Sequence, residues 1–126
     1  MVKTALLSLI VLLLAACSAK NEYYYRVNPQ ALQKAIQKCP SHPPAHVSCD
    51  QLKVIARDIN QLAYSLQHDP QEFGKKVMAL QAQLAKQQAQ LQTNKNQPEL
   101  KKAIQETKQQ LLESLAVIQW LESPEG

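Results

Sequence analysis

Glycine and aromatic residues are scarce in this 126-residue sequence, which contains two glycines, one phenylalanine and one tryptophan. Two glycines cannot build a glycine-rich phosphate loop, and no serine lies in the glycine-flanked turn that exposes a hydrolase nucleophile. The sequence therefore lacks the motifs of common nucleotide-binding and hydrolytic enzymes. We predict a protein that is not an enzyme and that needs no cofactor.

A strong charge of either sign is also missing. The formal net charge is +4 at pH 7, and the basic residues are interspersed with acidic ones along the chain. Nucleic-acid-binding domains usually concentrate their basic residues on one face or along one helix. We therefore predict no nucleic-acid partner.

The most apolar stretch covers residues 5–16 and follows a short basic start. It is too short to span a bilayer comfortably, and its length is typical of the core of a signal peptide. The stretch ends in Leu14-Ala15-Ala16-Cys17, which resembles the lipobox of bacterial lipoproteins at all four positions. The resemblance implies cleavage before Cys17, a diacylglyceryl thioether on its sulfur and acylation of its new amine. The alternative is an ordinary signal peptide with a chance cysteine.

The lipobox predicts where the signal peptide ends and where in the cell the protein is located. Residues 1–16 are then the signal peptide and residues 17–27 a lipidated tether. Ser18, rather than an aspartate, follows the cysteine, which in Gram-negative lipoproteins implies delivery to the outer membrane. We expect a cell-envelope protein facing the periplasm. The lipid would be its membrane anchor, because each buried CH₂ contributes about 0.8 kcal/mol.

Cys39 and Cys49 are the other two cysteines, and three prolines in the intervening segment predict a loop. Export would place the pair in an oxidising compartment, where an even number of cysteines usually forms disulfides. We predict a Cys39–Cys49 disulfide that joins two helix ends. The spacing also permits a zinc site of Cys39, His42, His46 and Cys49. The sequence leaves the zinc site and free thiols as alternatives to the disulfide. Without zinc, His42 and His46 are expected to be exposed in the loop.

Alanine, leucine, lysine and glutamine dominate the remaining chain and favour helix over strand. Helix starts are predicted at Asn28-Pro29, at a capping box over 48–51, and at Asp69-Pro70, and a turn is predicted over 93–98. The expected apolar stripes are Leu32, Ile36 and Cys39; Leu52, Ile55, Ile59, Leu62 and Leu66; Phe73, Val77, Leu80, Leu84 and Leu91, interrupted by Gln87; and Leu100, Ile104, Leu111, Leu115, Ile118 and Leu121.

These stripes predict an all-α domain over residues 28–122, followed by a tail at 123–126. A short disulfide-stapled helix–loop–helix comes first, and an antiparallel helical hairpin completes a small helical bundle. Tyr23, Tyr24, Tyr25 and Trp120 are candidates for partner binding, because aromatic side chains are common anchors at interfaces. The alternative is packing on the first helix for the three tyrosines and a place in the core for Trp120.

The first half of the exported part resembles the small entry-exclusion lipoproteins of conjugative plasmids. The matching pattern is Tyr24-Tyr25, Asn28-Pro29, then Leu32, Ile36 and Cys39, then a proline-bearing gap and Cys49, all after a lipobox. The resemblance covers roughly residues 1–55, and the helical part that follows is longer than usual in that family. It implies an envelope protein that contacts a conjugation or type IV secretion apparatus, either in exclusion or in an accessory role.

Two other functions are weighed against this interaction lipoprotein. Glu106-Thr107-Lys108 has the E-x-K form found in some metal-dependent nucleases, where the pair lies on a strand with an acidic partner upstream, but here it lies on a predicted helix. A self-associating structural coiled-coil lipoprotein, and hence a homo-oligomer, is the other alternative. We predict a non-enzymatic interaction protein whose partner is another envelope protein.

Overall fold

The computed structural model describes residues 20–123, and this range contains five helices and no strand. The helices are α1 (Glu22–Arg26), α2 (Pro29–Gln37), α3 (Cys49–His68), α4 (Pro70–Thr93) and α5 (Pro98–Glu122). The predicted all-α class is confirmed. None of the helices in this range combines the length and the apolar character that a bilayer crossing requires.

Two of the predicted helix starts have the expected capping geometry. The Ser48 hydroxyl accepts a hydrogen bond from the Gln51 amide at 3.1 Å, and the Gln51 side chain accepts one from the Ser48 amide at 2.8 Å. At the start of α4, the Asp69 carboxylate accepts a hydrogen bond from the Glu72 amide at 3.0 Å. These bonds satisfy amides that the first helical turn leaves without backbone acceptors.

The predicted start of α2 at Asn28-Pro29 is confirmed. Asn28 does precede Pro29 at the start of α2, but its side chain makes no capping bond. Its amide group instead donates to the Tyr24 carbonyl at 2.8 Å. Asn28 therefore joins the end of α1 to the start of α2.

Helix α1 lies in the segment that the sequence analysis assigned to the tether. The Asn21 side chain caps this helix by accepting a hydrogen bond from the Tyr24 amide at 3.0 Å. The Tyr25 side chain is only 4% exposed and belongs to the core. The packed domain therefore begins at Glu22 rather than at residue 28, because burial of Tyr25 holds this short helix against the rest of the bundle.

The main core joins α1, α2, α3, the α2–α3 loop and the last turns of α5. Its buried members are Tyr25, Leu32, Val47, Leu52, Ile55, Ile59, Ala63 and Val117. Trp120 and Leu121 pack against it from α5. No residue of α4 belongs to this cluster, so α4 lies at the edge of the core and contacts chiefly α5.

Helices α4 and α5 form the predicted antiparallel hairpin. Phe73 in the first turn of α4 lies beside Gln110 and Ser114 of α5, whereas Leu91 near the end of α4 lies beside Ile104. The seam between the two helices buries Phe73 and Val77 of α4 and Ile104, Thr107 and Ser114 of α5.

The predicted apolar stripe of α5 is partly wrong. Leu115 is 39% exposed, while the buried positions include two hydroxyl residues, Thr107 and Ser114. Thr107 donates to the Ala103 carbonyl at 2.9 Å and Ser114 to the Gln110 carbonyl at 2.9 Å. Because their hydroxyls are satisfied within the helix, these side chains can be buried where α4 packs closely.

Candidate interaction surface

The Cys39–Cys49 disulfide predicted from the sequence is present, with the two Cα atoms 6.0 Å apart. It joins the end of α2 to the first residue of α3 and closes the loop between them. Because the bond uses both sulfur atoms, neither can serve as a thiolate ligand of zinc. Within residues 20–123, no group of three or more histidine, cysteine or acidic side chains is placed to bind a metal ion.

Replacing both Cys39 and Cys49 by alanine is expected to lower the free energy of unfolding by about 2–3 kcal/mol, since a short closed loop then regains its freedom in the unfolded chain. Urea unfolding followed by circular dichroism measures the change. A reductant should shift the midpoint of the wild type and leave that of the double variant unchanged. Alkylation of either cysteine in the folded protein without reductant would contradict the bridge.

The loop that this disulfide closes is held at both ends. The His42 amide donates to the Lys38 carbonyl at 2.8 Å, and the Val47 side chain is 3% exposed and lies in the core. His42 and His46 are exposed between these two points. The loop therefore presents both imidazoles on the protein surface beside α2.

Arg26 connects α1 to two other helices through carboxylates. Its guanidinium lies 3.2 Å from the Asp58 carboxylate of α3, 3.3 Å from Glu22 and 3.9 Å from Glu113 of α5. The side chains of Arg26 and Glu113 are only 15% and 12% exposed. Gln109 also donates to Glu113 at 3.0 Å. This cluster fixes the short first helix against the bundle.

Two opposing effects act on the pKa of Arg26. Burial lowers it, but the hydrogen bonds to Asp58 and Glu22 and the charges of Glu113 and Asp58 outweigh burial, so the pKa of Arg26 is raised. A raised pKa in the folded state contributes stability at every pH below the ordinary arginine value, and that contribution is lost only as the pH rises above it. The guanidinium consequently stays charged throughout the physiological range.

The aromatic candidates for partner binding occupy different environments. Tyr25 lies in the core, and Tyr24 is half-buried with its ring edge-to-face against Tyr25 at 5.2 Å. Tyr23 is 43% exposed and is available at the surface. Trp120 is half-buried beside Pro29 and packs against the core. Tyr25 is therefore a packing residue, and Trp120 is partly one as well.

The predicted lipidation site, Cys17, lies outside the described residues, as do the signal peptide and most of the tail. The described part of the chain starts at Lys20, two residues before α1. Lipidation therefore stays a prediction.

The far end of the α4–α5 hairpin carries a basic groove that sequence reasoning missed. This distal groove has a volume of about 760 Å³, contains Leu91 and Ile104, and is lined only by α4, α5 and the segment that connects them. Its cationic residues are Lys95, Lys101, Lys102 and Lys108. All four lysines lie within residues 95–108, in the connecting segment and on α5, while α4 supplies Leu91 to the groove.

Several apolar side chains of the hairpin also lie in solvent. Met78 of α4 is 68% exposed, and Leu112 and Leu115, which are three residues apart on α5, are 42% and 39% exposed. Gln87, which interrupts the predicted stripe of α4, has a buried side-chain oxygen without a hydrogen-bond partner. The hairpin therefore has apolar and polar groups that its own two helices leave incompletely packed.

Of the E-x-K residues, Lys108 lines the distal groove. Glu106 and Lys108 are exposed on α5, and Thr107 between them is buried in the seam.

In comparisons with known proteins, no family model, curated protein or solved structure matches this chain.

Proposed function

We propose that this chain is a lipid-anchored envelope protein that binds another envelope protein through its α4–α5 hairpin and catalyses no reaction. The observation that carries the proposal is the exposure of Leu112 and Leu115 on α5 and of Met78 on α4. Contiguous apolar surface that a monomer leaves in water marks sites of protein–protein contact, and Leu112 and Leu115 are neighbours on α5 because they are three residues apart.

The disulfide supports the proposed compartment. Structural disulfides persist in oxidising compartments such as the bacterial periplasm and are rare in the cytosol. The Cys39–Cys49 bond and the lipobox ending at Cys17 therefore favour the same location. The outer membrane, facing the periplasm, is the location we propose for the anchored protein.

More narrowly, we propose that the partner belongs to a conjugation or type IV secretion apparatus. The role of this chain would then be entry exclusion or an accessory function. It rests on the resemblance over residues 1–55, whose stapled α2–loop–α3 unit the fold contains. The α4–α5 hairpin extends beyond the resembling part. We propose that the hairpin supplies the contact with the partner.

Photo-crosslinking tests this proposal. A photoreactive residue at position 112 or 115 is expected to give a covalent adduct with one specific envelope protein in living cells, because both side chains are exposed on α5. The same residue at position 53, which is exposed on α3, is the matched control and should give none. The adducts are identified by mass spectrometry.

Three results would overturn the proposal. Adducts of the chain with itself alone would favour the self-associating structural lipoprotein. Absence of any adduct from both α5 positions would exclude the hairpin as the contact. Metal-dependent cleavage of nucleic acid by the purified protein, abolished by Glu106→Gln, would establish the nuclease alternative.

A further inference from the structure

A second basic cavity is formed by residues from the start of the packed domain. It lies between α1, α2 and the disulfide-closed loop. This anchor-side cavity has a volume of about 670 Å³. Its basic residues are Lys20, Lys34, Lys38, His42 and His46, and its other side chains include Tyr24, Ala31, Ala35 and Pro44. Cationic groups thus surround a partly apolar interior.

No acidic residue lines this cavity. Lys34 and Lys38 are four residues apart and share one face of α2, and both are exposed. Among residues 20–123, neither of them nor Lys20 forms an ion pair with a carboxylate, and the Lys20 ammonium lies 5.7 Å from the centre of the Tyr24 ring. Lysines that converge without a carboxylate repel one another, and an anion held between them would remove that repulsion.

The position of the cavity relative to Cys17 restricts what that anion is. Lys20 follows Cys17 by three residues, and an extended chain advances at most about 3.6 Å per residue. If Cys17 carries the lipid, as the proposed function requires, then Lys20 stays within about 11 Å of the attachment point. The cavity would then lie at the level of the headgroups of the surrounding membrane.

We propose that the anchor-side cavity binds the phosphate of an anionic membrane lipid. Lys20, Lys34 and Lys38 provide the positive charge, and His42 and His46 offer ring N–H donors from the loop. Tyr24, Ala31 and Pro44 form apolar walls beside the glycerol part of the headgroup. The inference rests on the proposed lipid attachment and assigns the chain a second contact with the membrane, which would orient the bundle on the surface.

The disulfide has a specific part in this site. It ties the loop that carries His42 and His46 to the start of α3, while the buried Val47 holds the same loop in the core. These two restraints hold in place the loop that forms one wall of the cavity. Lys34 and Lys38 of α2 line the same cavity. Binding in a cavity with a fixed wall loses less chain freedom than binding to a mobile loop.

The three histidines of the chain provide a direct assay. His42 and His46 line the cavity, whereas His68 does not and stacks on Tyr64 with ring centres 5.4 Å apart. The lipidated protein, purified in a maltoside detergent, is titrated with dioctanoyl phosphatidylglycerol while the imidazole proton resonances are recorded. The resonances of His42 and His46 are expected to shift in a saturable manner, and those of His68 to stay in place.

Matched variants separate this site from general positive charge. Each lysine near an anionic lipid is expected to account for about fivefold in affinity, so Lys34→Gln with Lys38→Gln should weaken binding roughly 25-fold. Lys101→Gln with Lys102→Gln removes the same charge from the distal groove and should change the affinity by less than about twofold. An equal loss in both double variants would overturn the proposal.

Two further titrations identify the source of the phosphate. Dioctanoyl phosphatidylcholine, which has no net charge, should bind at least about tenfold more weakly than the phosphatidylglycerol. Equal binding of the two lipids, or equal binding of inorganic phosphate alone, would overturn the assignment to an anionic lipid. The cross-linking at positions 112 and 115 is a separate readout, so failure of the lipid site and failure of the partner proposal are distinguishable.

Discussion

Replacing Arg26 by methionine is expected to lower the free energy of unfolding by about 2–3 kcal/mol. Methionine keeps most of the side-chain volume but leaves Glu113, which is only 12% exposed, without its cationic partner. Removing one member of a fully buried pair costs about 3–5 kcal/mol, and the partial exposure of this cluster places the expected loss below that range. Thermal or urea unfolding of the purified protein measures it.

Arg57 provides the matched control for this experiment. Its side chain is 75% exposed and reaches the same Asp58 at 3.9 Å. Arg57→Met removes the same charge from the surface and should change stability by less than about 0.5 kcal/mol. Adding Glu113→Gln to Arg26→Met should restore part of the loss. Equal effects of the two arginine substitutions would mean that the Arg26 cluster does not hold α1 in place.

The second large effect is expected from Cys17→Ser. Serine has no thiol on which a thioether lipid can be built, so the variant should stay unprocessed and lose the acylated amine that follows cleavage. The mature, lipidated form should disappear from the membrane fraction. Fractionation of cells and gel mobility of the chain measure both changes.

Ser18→Ala is the control for that substitution, because it alters the next residue and leaves the thiol in place. It should be processed and retained on the membrane like the wild type. Unchanged processing and membrane retention of Cys17→Ser would exclude the lipoprotein assignment. The location, the anchor-side site and the class of partner would then all lose their basis.

The features that local rules control were predictable. The capping box at Ser48 and the cap at Asp69 depend on residues within three positions of each other, and both appear with the expected hydrogen bonds. The disulfide between Cys39 and Cys49, which was predicted on the expectation of export, is present. Each of these inferences needs only the chemistry of residues close together in the sequence.

Helix α1 was missed because its stability comes from distant residues. Five residues form too short a helix to be stable alone. Arg26 meets Asp58, which lies 32 residues later in the chain, and Tyr25 packs in a core built from the other helices. A tyrosine-rich segment close to a predicted lipidation site gives no local indication of such partners.

The buried face of α5 shows a second limit. Leucine spacing placed Leu115 in the seam, whereas Thr107 and Ser114 are buried there and Val117 lies in the core. Hydroxyl residues that bond their own helix are compatible with burial, so a count of apolar residues misjudges such a face. The anchor-side cavity was missed for a related reason, since it combines Lys20 with Lys34 and Lys38 of α2, which only the tertiary fold brings together.

The most direct test of the central claim is the mass of the amino-terminal peptide of the protein isolated from cell membranes. We predict a peptide that begins at Cys17 and carries the mass of a diacylglyceryl thioether and a further acyl chain on its amine. A peptide that begins at Met1, or a mature peptide that contains Cys17 without a lipid, would contradict the claim that this helical domain is held on the envelope by its acylated cysteine.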